Sequence, residues 1–513
     1  MTTNVNKIDS NITGLRIADE SSIGVLPGTP IWNQYEPNDY SELGAKISTL
    51  VRNPITDGRQ RKKGVVVDLE AGFGFSSDFT QTSHQNILQG VFFADYRTKA
   101  ERTDIPSVTV NAGDDTYEIV STTGFYAGSL VFGSGFTNAG NSGLHRVTTV
   151  TLNTSIAVAE TLTAEASPPT DSKLVVVGFQ FTSADATIDA SGTLPKLVTS
   201  TKDLTQLGLS VGEWVYFGGD VAGNNFATAA NNGWKRVRSI ATNAIEFDKS
   251  ASAMVTDNGS GKTIRVWFGR KLQNETGSNI VRKTYQPEVS LGAPDTGSPS
   301  QIQGMYVIGA IPNQFSLDIG TATKITSSMS FMATDAQTVD GPTGLKSGTR
   351  PTLVSADAYN TSSDMKRMKM SLVSSSDEAP SSMFAYLTDL KLEINNNLKQ
   401  SKAVGVLGSF DISAGTFAVS GSMTAYFTDV SAIAAIRNNS DVTIDVVIVK
   451  NNAGVVIDLP LISLGGGNPD IKLDEAVKLP VSMDAATAAS ISTSMDYTAA
   501  IMFFDYLPDV AEV

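Results

Sequence analysis

Short runs in which apolar and polar residues alternate recur along the chain, and they set the first expectation. In GVVVDLEAGFGF, Val65, Val67, Leu69, Ala71, Phe73 and Phe75 fall on one side of an extended segment. Val66, Asp68, Glu70, Gly72 and Gly74 fall on the other. A period of two predicts a strand with one buried face. GTFAVSGSMTAYF repeats the pattern near the other end, with Phe417, Val419, Met423, Ala425 and Phe427 sharing a face with Gly421. Helical periodicity is scarce. TSHQNILQGVFF predicts one short helix, with Thr82 or Ser83 as its N-cap; TDVSAIAAIRNN predicts another, capped by Asp429 and ended by Asn438 and Asn439. Each helix follows an alternating strand through Phe-Thr, so the two ends of the chain echo each other as if a domain had been duplicated.

Residues 105 to 270 have a different texture, rich in Thr, Ser, Ala, Gly and Asn, and they hold a clearer repeat. FYAGSLVFGSGF matches LSVGEWVYFGGD at an offset of 84 (Gly128 to Gly212), and NSGLHRV matches NNGWKRV at an offset of 90 (Arg146 to Arg236). Two copies predict a tandem pair of small β-modules rather than a solenoid. In each, Asn-x-Gly is expected to supply the positive φ of a tight hairpin, with Val147 or Val237 opening the next strand and Trp234 packing the second module. The expected organisation is an extended arm at 1–45, a first β-domain from 46–104 and 271–335, inserted modules at 105–182 and 183–270, a loop-rich linker at 336–382, and a second β-domain at 383–513.

Composition narrows the chemistry. Among 513 residues there is no cysteine and only two histidines, His84 and His145. That removes disulfides, thiolate metal sites and a cysteine nucleophile. Both histidines are expected on solvated surface, His84 in the first turn of its helix and His145 in a loop where the second copy has Lys235. TDNGSGKT lacks the spacing of a phosphate loop. No catalytic centre, metal site or cofactor is expected. With 52 acidic against 38 basic residues the net charge is −14, which opposes tight binding to nucleic acid. No apolar run reaches the ~20 residues of a membrane span, and the polar start MTTNVNKIDSNITG predicts no secretory signal and synthesis in the cytoplasm. The cluster Arg52, Arg59, Arg61, Lys62 and Lys63 is expected to meet an acidic surface on a neighbouring subunit. Asp68 and Glu70 are expected on a solvated strand face.

LTDLKLEINNNLKQSKAVGVLGSFDISAGTFAVSGSMTAYFTD, followed by VTIDVVIVKNNAGVVIDLPLISL, resembles the tail-tube (major tail) proteins of long-tailed bacteriophages. The carriers are Asn396 to Leu398, Asp411 to Phe427, and Asn452 to Pro460, with Asn452 standing where aspartate is common. GLRIADESSIGVLPGTP resembles the family's opening, VVVDLEAGFGFSSDF its first tube strand, and the stretch from KTYQPEVSLG to SSMSFMATD its middle strands. The resemblance implies a mainly β protein with two tail-tube-type sandwich or barrel domains, each with a short flanking helix, plus the two inserted modules. It implies rings that stack into a hollow tube in the virion tail, with other tail proteins at its ends and DNA passing through without sticking. Two tube domains per chain favour a trimeric ring with pseudo-sixfold symmetry; a hexamer is the alternative. Asp68 and Glu70 then become candidates for the lumen, and the five basic residues for inter-subunit contact. The modules are expected on the outside, dispensable for ring assembly, and suited to a non-contractile tail. The rival reading is a β-rich receptor-binding or fibre protein, which predicts fibrous repeats or a coiled coil that the sequence lacks.

Overall fold

Eight of the alternating segments hydrogen-bond into one antiparallel wall. In spatial order they are β1 (Pro37–Arg52), β2 (Lys62–Asp78), β4 (Thr326–Ala333), β3 (Ile311–Gly320), β5 (Leu387–Asn395), β6 (Ala418–Tyr426), β8 (Lys478–Ala485) and β7 (Ala453–Gly466). The computed structural model describes every residue except 1–7, 9, 11, 12, 56, 59, 112, 113, 293–302, 341–344, 354, 355 and 513. The first four strands of the wall come from one half of the chain and the last four from the other, in the same hairpin order. β3 and β5 join the halves without a break from Gln314–Asn395 to Gly320–Asp389. Helix α1 (Gln85–Phe92) follows β2, and α2 (Ser431–Arg437) follows β6. The halves therefore succeed one another head to tail.

One face of the wall is apolar because every second side chain is. Phe73 and Phe75, Met329 and Phe331, Leu390 and Leu392, and Val481 and Met483 all enter one core. A second layer covers it. Val442–Lys450 lies between Met365–Leu372 and the first part of β7, and β7 also pairs with Ala500–Phe504. Along Val442–Lys450 the side chains divide: Val446 and Ile448 enter the wall core, whereas Val447 and Val449 enter another, with Trp214, Trp234 and Trp267 of the inserted region. A strand buried on both faces reads as a continuous apolar run, which is what TIDVVIV is. The molecule is thus three layers deep, and the inserted region lies on the side away from the wall's polar face.

The inserted copies share one sheet. From one edge it runs Thr187–Asp189, Lys196–Val198, Ala244–Ser250, Gly233–Ala241, Trp214–Phe217 and Arg265–Phe268. It continues as Lys173–Gln180, Ser129–Ser134, Gly143–Thr151, Ser155–Val158, Asp114–Glu118 and Val108–Asn111. The second half of that order mirrors the first, with corresponding last strands paired antiparallel at the centre. The copies are also wired alike. Gly128 N–H donates to Val147 O and Gly212 N–H to Val237 O, both glycines having positive φ. Buried Asn141 donates to Thr163 O and accepts from Thr163 N–H; Asn231 does the same with Val255.

Several expectations change here. Gly14–Asp19, placed in an extended arm, is a strand paired with Tyr285–Gly292, because Leu15 and Ile17 reach the core; residues 1–7 of that arm lie outside the described residues. The Asn-x-Gly phrase is not a tight hairpin. Its asparagine ends a short 3-10 turn and staples two loops, and the strand begins at Gly143 or Gly233 rather than at the valine. Trp234 packs edge-on to Phe504 at 5.1 Å, across the layer boundary, while Val237 fills the module core. The N-cap of α1 is His84 and that of α2 is Val430 rather than Asp429, one residue earlier in the chain, whose Oδ1 accepts from Ser431 N–H at 2.7 Å. Both histidines are buried. His84 is accommodated because three serines meet its ring nitrogens, and His145 because its strand turns it inward against Tyr117, ring centroids 5.7 Å apart. Its counterpart Lys235 is fully buried for the same reason, and burial pushes its pKa down to about 7.

Candidate assembly surfaces

β1 and β2 do not stop where the core does. Ala71, Phe73 and Phe75 are buried, yet Val65, Val66 and Val67 are each about half exposed. Every described residue from Ala45 to Lys63 is exposed. The one buried face expected from Val65 to Phe75 therefore holds only from Ala71 onward, because among the described residues no other segment covers the strand further out. At ~3.3 Å per residue the bare hairpin is roughly 30 Å long. Arg52, Arg61, Lys62 and Lys63 lie on it; Arg59 lies outside the described residues. It carries Ile47, Leu50, Val51 and Ile55 into solvent, an exposed apolar surface of the kind that marks an interaction site.

Asp68 and Glu70 occupy the wall face opposite the core, at the base of the hairpin. Lys402, from a small hairpin of Lys399–Lys402 and Ser409–Ser413, reaches both, at 2.6 and 3.6 Å. The hydrogen bond and charge of Lys402 hold the Asp68 carboxyl below its usual range. Much of the rest of that face is small and polar, which the sequence reading did not single out: Gly72, Gly74 and Ser76; Ser328 and Ser330; Ser316; Ser420, Ser422 and Thr424; Ser482. Lys391, between Asp318 and Ser422, and Lys46, opposite Glu70, also lie on it. One cross-strand row runs Asp39, Ser76, Ser328, Ser316, Glu393, Ser420, Asp484, Ser463. The alternation of each strand was the available signal; only the register brings the small residues into rows.

The wall also has two unused edges. Among the described residues β1 pairs only with β2, and the last residues of β7, Ser463 to Gly466, pair only with β8. An unpaired edge presents a row of free N–H and C=O groups that another strand can take up.

Charge is organised differently where the inserted region meets the second layer. Asp445 and Asp458 stand opposite each other on paired strands, both fully buried. Like charges so placed repel. Their counter-ions come largely from the second module: Arg236 bonds Asp248 at 2.8 Å and Asp458 at 3.2 Å, and Lys249 bonds Asp445 at 2.5 Å, with Arg367 closing the network. Burial alone raises the Asp445 pKa, but Lys249 and Arg367 outweigh it and hold the group ionised.

This is a mainly β protein that, among the described residues, leaves two sheet edges and a long apolar hairpin without strand partners. A family model described as phage tail tube protein matches residues 210–485, more than half of the chain. The chain belongs to the phage tail tube protein family, and its role is structural. No curated protein matches it.

Proposed function

We propose that this protein polymerises into rings that stack as the tube of a phage tail and conduct DNA. The observation that carries this reading is the head-to-tail order of the eight wall strands. A joint that repeats inside the chain at β3–β5 leaves the same two kinds of edge free at β1 and β7, and a rotation that closes gives a ring. Three chains supply twenty-four strands. At ~4.8 Å between strands and a tilt of about 35–45°, such a barrel is roughly 45 Å across between backbones, enough to pass a DNA duplex. Six chains would give roughly 90 Å, which nothing about a single duplex requires. The trimer with pseudo-sixfold symmetry is therefore preferred over the hexamer.

The polar face becomes the lumen. Serines and glycines offer phosphate no cations, Asp39, Glu393 and Asp484 add carboxylates, and Lys391 and Lys46 face Asp318 and Glu70 across the strands, so DNA gains little from counterion release and slides. Asp68 and Glu70 belong to this face but are partly neutralised by Lys402. The hairpin with Arg52, Arg61, Lys62 and Lys63 serves contact between subunits, and the inserted modules stand outside, where their bulk suits a tail with no sheath to slide over it. Subunit counting in a helical reconstruction of purified tubes tests this: three chains and a twenty-four-strand bore are expected. Discrete particles that never form rings would overturn the reading in favour of a fibre or receptor-binding role.

A further inference from the structure

The two ends of the wall are not alike, and neither are its two halves. The β1–β2 turn and the β5–β6 connection lie at one end; the β3–β4 turn (321–325) and the β7–β8 turn (467–477) lie at the other. At the first end the apolar surface is gathered over the first half. The small hairpin of the β5–β6 connection does not project on its own. Its Gly408 sits against Leu69, so close that a β-carbon added there would lie 3.2 Å from Leu69 Cδ2, and Lys402 grips Asp68. Exposed Val404, Val406, Leu407 and Phe410 thereby adjoin the β1–β2 hairpin. Each chain thus offers one apolar projection.

At the far end the distribution reverses. The second half exposes Tyr386, Tyr426, Val430, Ile471 and Leu473. They belong to one locality: Tyr426 N–H bonds Tyr386 O, Phe427 N–H bonds Val477 O, and the β7–β8 turn lies over Ile436 of α2. The equivalent turn of the first half reads Thr321, Ala322, Thr323, Lys324, and no large apolar residue is exposed there among the described residues. Charge agrees with the apolar pattern. The hairpin sets Arg52, Arg61, Lys62 and Lys63 against Asp57. The far end of the second half sets Asp389, Asp429, Asp470, Asp474 and Glu475 against Lys472 and Lys478. One surface is cationic and apolar, the other anionic and apolar, and each occurs once per chain.

Resting on the tube reading above, we propose that stacked rings are rotated out of eclipse. The β1–β2 hairpin of one chain seats on the far end of the second half of a chain in the adjacent ring, and not on the first half. Stacking then has a fixed phase: pseudo-equivalent halves alternate along the tube, and only three of the six apparent positions around each ring accept a hairpin. Apolar mismatch, rather than charge, suppresses the eclipsed register: the hairpin would bury its valines and leucine against Thr321 to Lys324, a turn that also has Asp78 and Asp318 beside it.

Because the chain has no cysteine, introduced pairs report the phase directly. Gln60→Cys is combined either with Glu475→Cys or with Thr323→Cys, all three positions being exposed, and assembled tubes are oxidised mildly. The expected result is a ladder of linked chains on a non-reducing gel for the first pair, at least tenfold stronger than for the second. A ladder from the 60/323 pair instead, or from neither pair in tubes seen by negative stain, overturns the phase while leaving the tube intact. Unmutated protein that forms no tubes would overturn the tube reading itself, and this inference with it.

Discussion

A proton on His84 has nowhere to put its charge. The ring lies between Phe79 and Phe315, its Nε2 within 2.9 Å of Ser77 Oγ and Ser327 Oγ, and burial lowers its pKa to about 4. The unfolded chain takes up this proton near 6.5. Between the two values the unfolded state binds a proton that the folded state refuses, so stability present above pH 6.5 is lost as pH falls towards 4. The full loss is about 3 kcal/mol. His84→Gln should be less stable at pH 7.5 yet lack this slope between pH 6.5 and 4, as read by denaturant titration at several pH values. Arg236 is the second sensitive residue. Arg236→Met leaves Asp248 and Asp458 buried with one counter-ion fewer, a cost of about 3–5 kcal/mol. Arg146→Met, at the matching position of the first copy, where Glu160 meets the backbone N–H and no salt bridge of the guanidinium is seen among the described residues, should cost under about 1 kcal/mol. Equal losses in thermal melts of the two variants would contradict the assigned role of Arg236.

Among elements, the inserted pair of modules is not detachable decoration. Its tryptophans cover Val447, Val449, Val456, Met502 and Phe504, and its cations neutralise Asp445 and Asp458. Deleting 107–268, expected from sequence to spare ring assembly, should instead yield insoluble chain or free monomer, visible by size exclusion and negative stain. Assembly of that deletion into rings would show the second layer to be self-sufficient. The sequence revealed this boundary only in part. Gly128 and Gly212 were legible because a positive φ selects glycine and leaves a fixed mark. Phe73, Phe75, Val419 and Met423 were legible because alternation is local. His84 was not, since one of its partners, Ser327, lies 243 residues away. Nor could the exposure of Val65 and Val67 be read from pattern, because a strand covered by its own chain and one left bare carry the same alternation. The role of Arg236 was hidden for a related reason: its repeat partner is an arginine as well, and only the third dimension supplies Asp458.

For the whole molecule, the excess of carboxylates over cations on the polar face is itself a testable property. Ser420→Lys and Ser422→Lys together would set six cations around a trimeric bore. Tubes should still form, because both side chains are exposed on the polar face of the wall, but they should retain labelled duplex DNA at low salt and release it as salt rises. Tubes of the unmodified chain should retain little under the same conditions. Equal retention by both would place some other surface along the DNA path.

The mirrored order of the inserted sheet has a consequence best put as polymer chemistry. In the proposed ring the wall acts as a bifunctional monomer: its two ends differ, the joint inside the chain shows that each fits the other, and joining two units would regenerate both until a ring closes. The module pair spends its matching ends on each other, Lys173–Gln180 against Arg265–Phe268, and leaves two like termini. It is a dimer capped by its own coupling. On the proposed tube reading, the same chain thus carries one duplication that propagates and one that terminates.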